Sequence, residues 1–387
     1  MREVIDLFRE KGTVDELGIG QIRDAFSDIL FPGTSTLQTR ARYHLLVPWT
    51  FQRLEREKVS SADAPAKARA LELLLIRSLM RSGDHDGVIG RDAGENLLRL
   101  PSLLYWTGLA AYGIRRFSGS IADYFRSLDS YHRRIRSMAV SESEEVYDRL
   151  RPNWHTGLPE APDDLFEEAA ITLTPPEADY LRDRIVSCHH ETLLGALALV
   201  PRIPDPQFVW DHGISIPEHL TEVTDHARAF SEVMHGAALL YNLMLARRAA
   251  AQQIPRGDRP GVEDFTDRLD SWADMLEARG GGISTWDVAT TLDIALSENP
   301  NITHASREFA RRWAGHALHD PRGVTNSSEA ASLIEQRELQ TKGGLARLRN
   351  RRALEMWNGE AGTTPLDFRW RIAKRILTDI HQSLTDA

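Results

Sequence analysis

The sequence predicts an all-α protein, and three observations carry that prediction. Apolar residues recur at three- and four-residue spacings along most of the chain, convincing strand alternation is absent, and helix-start patterns precede several of the apolar runs. With 387 residues, 42% of them hydrophobic, the chain is long enough for two or three compact bodies and a substantial core.

The helical spacing runs through Val4 to Phe8, Ile19 to Leu30, Ala68 to Met80, Leu103 to Ile114, Leu181 to Ile185 and Ile372 to Ile380. Pro32-Gly33 is a turn dipeptide, and Ser35 to Gln38 is a hydroxyl-x-x-Gln capping pattern that predicts the start of a helix carrying Arg40 and Arg42. Residues 66–117 read as a helix, a turn at Gly83 to Gly87, a short helix near Asp92 to Leu98, and a third helix opened by Pro101-Ser102 and closed at Tyr112-Gly113. That order resembles a helix-turn-helix unit, although Leu103, Leu104, Trp106 and Leu109 make the third helix read as core rather than as a base-reading element.

Residues 138–174 hold Pro152, Pro159, Pro162 and a dense acidic run with little periodicity, which predicts a linker or extended strap. Beyond it, Thr174-Pro-Pro-Glu177 and Ser215-Ile-Pro-Glu218 are capping boxes, and Pro175 suits a first helical position. Pro217 to Gln253 is the expected central buried helix, because its second half is apolar nearly all round. The glycine run Gly280 to Gly282 is expected to end one helix in a left-handed cap, and Ser284 with Asp287 to open the next. The expected organisation is an N-terminal helical domain over 1–137, an acidic linker over 138–174 and a C-terminal helical domain over 175–387 that ends in a basic segment.

A net charge of -9 argues against a protein that coats nucleic acid indiscriminately, yet the charge is segregated. Residues 141–180 carry eleven Asp or Glu against Arg149 and Arg151, so everything outside them sums to zero. Two basic stretches stand apart: 115–136, with six Arg against Asp123 and Asp129, and 342–375, with nine Lys or Arg against Glu355, Glu360 and Asp367. The single cysteine, Cys188, allows no internal disulfide, residues 1–25 mix charges where a secretory signal needs an apolar run, and the longest apolar stretch is too short to span a bilayer. A cytoplasmic protein with no membrane span is expected.

Four groups of residues are candidates for contact with an anion or nucleic acid. Ser35, Arg40 and Arg42 lie at a predicted helix start beside a glycine turn, where free amides and a guanidinium would hold a phosphate; the competing reading pairs these arginines with Asp24 or Asp28. Arg115, Arg116, Arg133 and Arg134, with Arg126 and Arg136, are interleaved with Phe117, Tyr124, Phe125 and Tyr131 as a backbone-binding surface requires. Arg347, Arg349, Arg351 and Arg352 fall within two turns of a predicted helix whose Leu345, Leu348 and Ala353 face inward. Lys374 and Arg375, with Arg369 and Arg371, extend that face if the last helix packs nearby. The alternative for the basic C-terminal stretch is docking on the acidic 141–180 segment or on a partner.

No catalytic signature accompanies these groups. Gly18-x-Gly20 lacks the third glycine and preceding strand of a dinucleotide fingerprint, and the sequence has no Gly-Lys-Ser or Gly-Lys-Thr phosphate loop, no His-Glu-x-x-His and no glycine-flanked nucleophile. His189-His190-Glu191, Asp84-His85-Asp86 and His316 to Asp320 lack the complement a metal needs, so structural or surface roles are expected, with neither metal nor cofactor.

The block from Asp15-Glu-Leu-Gly-Ile-Gly20 through Ile22-Arg-Asp-Ala-Phe-Ser-Asp28, Phe31-Pro-Gly-Thr-Ser35 and Gln38-Thr-Arg-Ala-Arg-Tyr43 resembles, together with Val47-Pro-Trp49, Pro101-Ser to Tyr105-Trp106, Gly236-Ala to Tyr241-Asn242 and Arg347 to Asn350, an uncharacterised bacterial domain-of-unknown-function family. The resemblance spans nearly the whole chain, and it implies a leader slightly longer than the fourteen residues that precede the block. Members of that family lie near genes for helicases and phospholipase-D-like nucleases in mobile-element and phage-defence neighbourhoods. The resemblance defines no catalytic residues. It implies a non-catalytic subunit of an antiviral, anti-phage defence or DNA-processing system that binds nucleic acid, a helicase or a nuclease partner. Two alternatives stand beside it: an enzyme acting on phosphate esters through Asp15, Glu16, Arg23 and Asp24, and a protein scaffold that touches no nucleic acid.

Overall fold

A computed structural model describes residues 15–139, 152–280, 283 and 285–385. The expected periodicity at Val4 to Phe8, the acidic residues of 140–151, and Gly281, Gly282 and Ser284 lie outside the described residues. Among the described residues the protein is all-helical. The helices are α1 (Gly20–Leu30), α2 (Tyr43–Arg56), α3 (Ala64–Leu79), α4 (Pro101–Ala111), α5 (Ile121–Ala139), α6 (Pro175–His189), α7 (Leu193–Ala198), α8 (Glu218–Ala251), α9 (Val262–Arg279), α10 (Val288–Glu298), α11 (His304–His319), α12 (Ser328–Lys342), α13 (Arg351–Glu355) and α14 (Trp370–Thr385). An isolated antiparallel bridge between Arg115 and Trp154 is the only β pairing among them. None of these helices is long and apolar enough to cross a membrane.

The chain forms two compact units. One comprises Phe208–Phe368 with the residues up to Ile29, the other Leu30–Gln207 with Arg369–Ala387.

The first unit is built around α8, which at 34 residues runs for about 50 Å. From Phe230 to Ala246 it is buried or half-buried all round because α9, α10, α11, α12 and α13 all pack against it. Gly236 is what lets α9 come so close: a Cβ there would sit 2.2 Å from Cζ2 of Trp272. The Trp272 indole donates to the Glu232 carbonyl at 2.8 Å, and the Trp313 indole of α11 donates to the Val233 carbonyl at 2.8 Å. Further along, the buried Asn242 uses all its bonding capacity: it accepts from the Trp357 indole and the Ala361 amide at 3.0 Å each, and it donates to the carbonyls of Ala238 and Ala361 at 2.7 Å each. One side chain thereby fastens the 357–361 turn to α8. At the N-terminal end, Asp15 accepts from the amides of Ile19 and Gly20 at 2.9 and 2.8 Å and so caps α1, whose Phe26 stacks on Phe230 at 6.3 Å.

In the second unit α3 and α4 pack on α2, α5 on α3, and α14 on α6 and α7. Phe51, Trp106, Tyr124 and Trp154 form a connected aromatic core. The Glu55 carboxylate accepts from Tyr124 Oη at 2.6 Å, Asn153 Nδ2 at 2.8 Å and Trp154 Nε1 at 3.2 Å. The buried Glu72 of α3 receives the amide and hydroxyl of Ser102 at 2.8 Å each, so a carboxyl group from another helix caps the start of α4. The described part of the acidic stretch, 152–174, is a strap over this unit. Pro159 accepts from the Trp49 indole at 2.7 Å, Leu165 from Ser78 Oγ at 3.0 Å, and Trp154 and Ile171 are buried.

Several expectations hold. Thr174 and Glu177 form their capping box with proline in the first turn of α6, Gly280 ends α9 with φ at +53°, and α8 is the predicted central helix. Others need correction. Ser35 and Gln38 make one bond of their box, Ser35 N to Gln38 Oε1 at 3.2 Å, but no helix follows until Tyr43. The amides of Thr39 and Arg40 both donate to Tyr105 Oη, at 2.8 and 3.1 Å, which removes them from any helical ladder. Ser215 makes no cap to α8, whose first turn follows Pro217, and α10 is capped by Asp287 alone among the described residues. The expected short helix at Asp92 to Leu98 is a single 3-10 turn, Gly94–Asn96. α4 buries Tyr105, Trp106 and Leu109 in the core, with Leu103 left exposed. The predicted helix through Arg347 to Arg352 is broken: a 3-10 turn at Gly343–Leu345, a loop, and then α13. The buried Glu338 carboxylate takes the amides of Arg347 and Leu348 at 2.7 and 3.0 Å, and Leu345, expected to face inward, is 63% exposed.

Candidate functional site

The strongest candidate is a cleft of about 920 Å³ in the second unit. One wall is a face of α14, from Arg371 to Thr385, and the other walls are three loops: Gln38–Thr39, Asp86–Gly87 and Pro201–Asp205. Four cations line it, Arg202, Arg371, Lys374 and Arg375, against two carboxylates, Asp86 and Asp205. Ile203, Pro204 and Ile372 supply apolar wall between the charges.

Two of the loops, Gln38–Thr39 and Asp86–Gly87, are held by the buried pair of Arg40 and Asp379. Arg40 Nε lies 3.1 and 3.0 Å from the two oxygens of Asp379, and the Ala41 amide donates to the same carboxylate at 2.8 Å. From the other edge of its guanidinium, Nη1 reaches Asp84 at 3.2 Å and the Asp86 carbonyl at 2.9 Å. Gly87 closes this loop, with φ at +77° and room for no Cβ, which would fall 2.7 Å from Cγ of Arg40. Its carbonyl accepts from Thr39 Oγ1 at 2.7 Å. On the opposite side, Lys374 bonds Asp205 and, at 3.2 Å, the Pro206 carbonyl; its ammonium lies 6.0 Å from the centroid of the buried Trp370 ring. Arg375 is paired with Asp86 and lies 3.8 Å from Asp379. These cations hold the carboxyl groups of Asp86 and Asp205 below their ordinary range.

Of the predicted contact residues, the fold thus brings Arg371, Lys374 and Arg375 to the cleft. Arg40 and Arg42 are buried. Arg42 pairs with Glu177 at 2.7 Å, donates to the Ala170 carbonyl at 2.7 Å and lies over the Trp49 ring at 5.7 Å. Their carboxylate partners come from α6, α14 and the 84–86 loop. Ser35 is a half-buried turn residue whose hydroxyl faces the Leu37 amide at 3.5 Å. Arg115 is half-buried over Trp106 at 4.6 Å and donates to the carbonyls of Trp106 and Gly119 at 3.1 Å each. Arg116, Arg133 and Arg134 are exposed.

In the first unit two members of the basic stretch, Lys342 and Arg347, serve as internal attachment. Glu16, from the block that carries the family resemblance, accepts from Lys342 and, at 2.7 Å, from Arg347. Tyr241 of α8 completes this cluster: it donates to Glu338 and accepts from Lys342 at 2.8 Å. Burial lowers the Lys342 ammonium and raises the Tyr241 hydroxyl. Arg337 donates to the carbonyls of Leu17 and Gly18 at 2.7 and 2.8 Å. Asp15 and Glu16 are therefore engaged in capping and ion pairing, and Arg23 pairs with Asp24 at 3.0 Å. Arg349 reaches Glu335 at 3.0 Å, Arg351 reaches Glu355 at 2.9 Å, and Arg352 is exposed.

Arg202, Asp86 and Asp205 were not among the expected site residues. Pro201-Arg-Ile-Pro-Asp-Pro206 carries a readable signal, since three prolines in six residues mark a rigid loop that presents Arg202 and Asp205. Asp86 had none, because its partner lies 289 residues away. No curated protein and no solved structure matches the chain. A family model described as a family of unknown function (DUF6361) matches residues 1–384, which takes in the described residues of both units but for the last, and the protein belongs to that family.

Proposed function

We propose that this protein is a non-catalytic, nucleic-acid-binding subunit of a bacterial defence or DNA-processing assembly, and that it grips the sugar-phosphate backbone in the α14 cleft. The observation that carries the reading is the gathering of Arg202, Arg371, Lys374 and Arg375, from two separate segments, on the lining of one open cleft. Phosphate contacts from Arg and Lys supply most of the affinity of sequence-independent binding. The genomic setting implied by the family resemblance supports a helicase or a phospholipase-D-like nuclease as the working partner. An overall charge of -9 suits a protein that binds through a local site rather than over its whole surface.

The test is fluorescence anisotropy with a labelled oligonucleotide at low salt, comparing the wild type with K374A/R375A and with the first-unit control R349A/R351A/R352A. The cleft variant is expected to lose about tenfold or more in affinity while the control stays close to the wild type. Equal affinity of wild type and cleft variant would overturn the reading.

A further inference from the structure

We propose that the cleft is a two-phosphate site, and that Asp205 and Asp86 occupy its two anion positions as internal competitors that the ligand displaces. The inference deepens the nucleic-acid reading and rests on it only for where the phosphates come from.

Lys374 and Arg375 are consecutive on α14, and each engages one carboxylate from a different loop. A carboxylate on an ammonium or guanidinium presents the same anionic oxygens as a phosphate, so each pair marks a place where an anion fits. The two carboxylates come from separate loops and both line the one cleft, so these are two positions that open into one space. A ligand that fills both needs two adjacent anionic groups, as in a diphosphate or two successive phosphates of a strand.

The cations keep their places without the carboxylates. Lys374 is held by the Pro206 carbonyl and by the Trp370 ring, and Arg375 has the buried Asp379 at 3.8 Å. The carboxylates are the exposed members of their pairs: the side chain of Asp205 is 91% exposed and that of Asp86 69%. Ion pairs so solvated contribute little to stability, so exchanging a carboxylate for a phosphate costs little. Asp86 is nevertheless steered into place, since Arg40 holds its carbonyl and the Asp84 carboxylate accepts from its amide at 3.0 Å. Neutralising either carboxylate should therefore tighten binding, the opposite of what a ligand-contacting residue would show.

The test is isothermal titration of the full chain with inorganic diphosphate and with orthophosphate, on wild type, D86N, D205N, and each of these combined with K374A/R375A. Diphosphate is expected to bind about tenfold tighter than orthophosphate, each Asn variant to tighten diphosphate several-fold, and the combined variants to lose that gain. Equal binding of the two anions, no binding of either, or Asn variants no tighter than wild type would overturn the proposal. Parallel titrations with a nucleoside diphosphate and an oligonucleotide separate the two phosphate sources. If only the nucleoside diphosphate follows the Asn pattern, the nucleic-acid reading falls and the two-phosphate site stands. If oligonucleotide binding depends on Lys374 and Arg375 but the Asn variants change nothing, the two-phosphate proposal falls and the nucleic-acid reading stands.

Discussion

Replacing Asp379 by leucine should unfold the second unit at a markedly lower temperature. The carboxylate accepts from Arg40 Nε and from the Ala41 amide, and both side chains of the ion pair are nearly sealed from water. Removing one partner of a buried pair costs about 3–5 kcal/mol, because the remaining charge keeps its desolvation penalty without its compensation. Arg40 retains Asp84 and the Asp86 carbonyl, so the lower end, about 3 kcal/mol, is expected. For a unit of about 200 residues that loss lowers the transition by about 6–12 °C. Calorimetry is the assay, since two compact units can melt separately. The double variant R40M/D379L should recover at least half of the loss, because it replaces two buried charges by apolar groups. A D379L transition within about 2 °C of wild type would refute the reasoning, since it would mean that water reaches Arg40.

Two further outcomes follow from buried polar groups. Burial raises the Glu72 carboxyl to about 7 against the opposing pull of the Ser102 bonds, so the folded state favours its neutral form. Its effect on stability is absent below the ordinary carboxyl range and becomes unfavourable as pH rises from about 4.5 through about 7. Accordingly E72Q should match the wild type near pH 4.5 and exceed it near pH 8 by an amount on the order of 3 kcal/mol, read from urea unfolding at the two pH values; an equal difference at both would contradict the assignment. N242A should cost the first unit about 3 kcal/mol, because the Trp357 indole and both backbone groups of Ala361 lose their partner in the interior. A loss below about 1 kcal/mol in the same unfolding measurement would show that the 357–361 turn is held by other contacts.

Local patterns were legible where local bonds decide the outcome. The Thr174 box, the positive-φ Gly280 stop and the largely apolar second half of α8 each act over one or two helical turns, and each was readable. Two of the misread helix starts share one cause. At Ser35–Gln38 the Tyr105 hydroxyl takes the amides that a helix would need, and at Arg347–Leu348 the Glu338 carboxylate does. Both acceptors come from elsewhere in the chain and cannot be seen in a capping pattern. The same limit governed the site. A run of arginines in sequence does not distinguish Arg40, sealed on Asp379, or Arg347, fastened to Glu16, from Arg375 on the wall of a cleft. Composition located the positive charge, and tertiary pairing decided which of it lines the cleft.

The proposed function requires Lys374 and Arg375 to contact phosphate, and the salt dependence of oligonucleotide binding tests this most directly. Each phosphate contact to a single strand contributes about -0.7 to the slope of log affinity against log salt concentration. K374A/R375A should therefore flatten the wild-type slope by about 1.4 between ~50 and ~200 mM salt. Parallel lines for the two proteins would contradict the account.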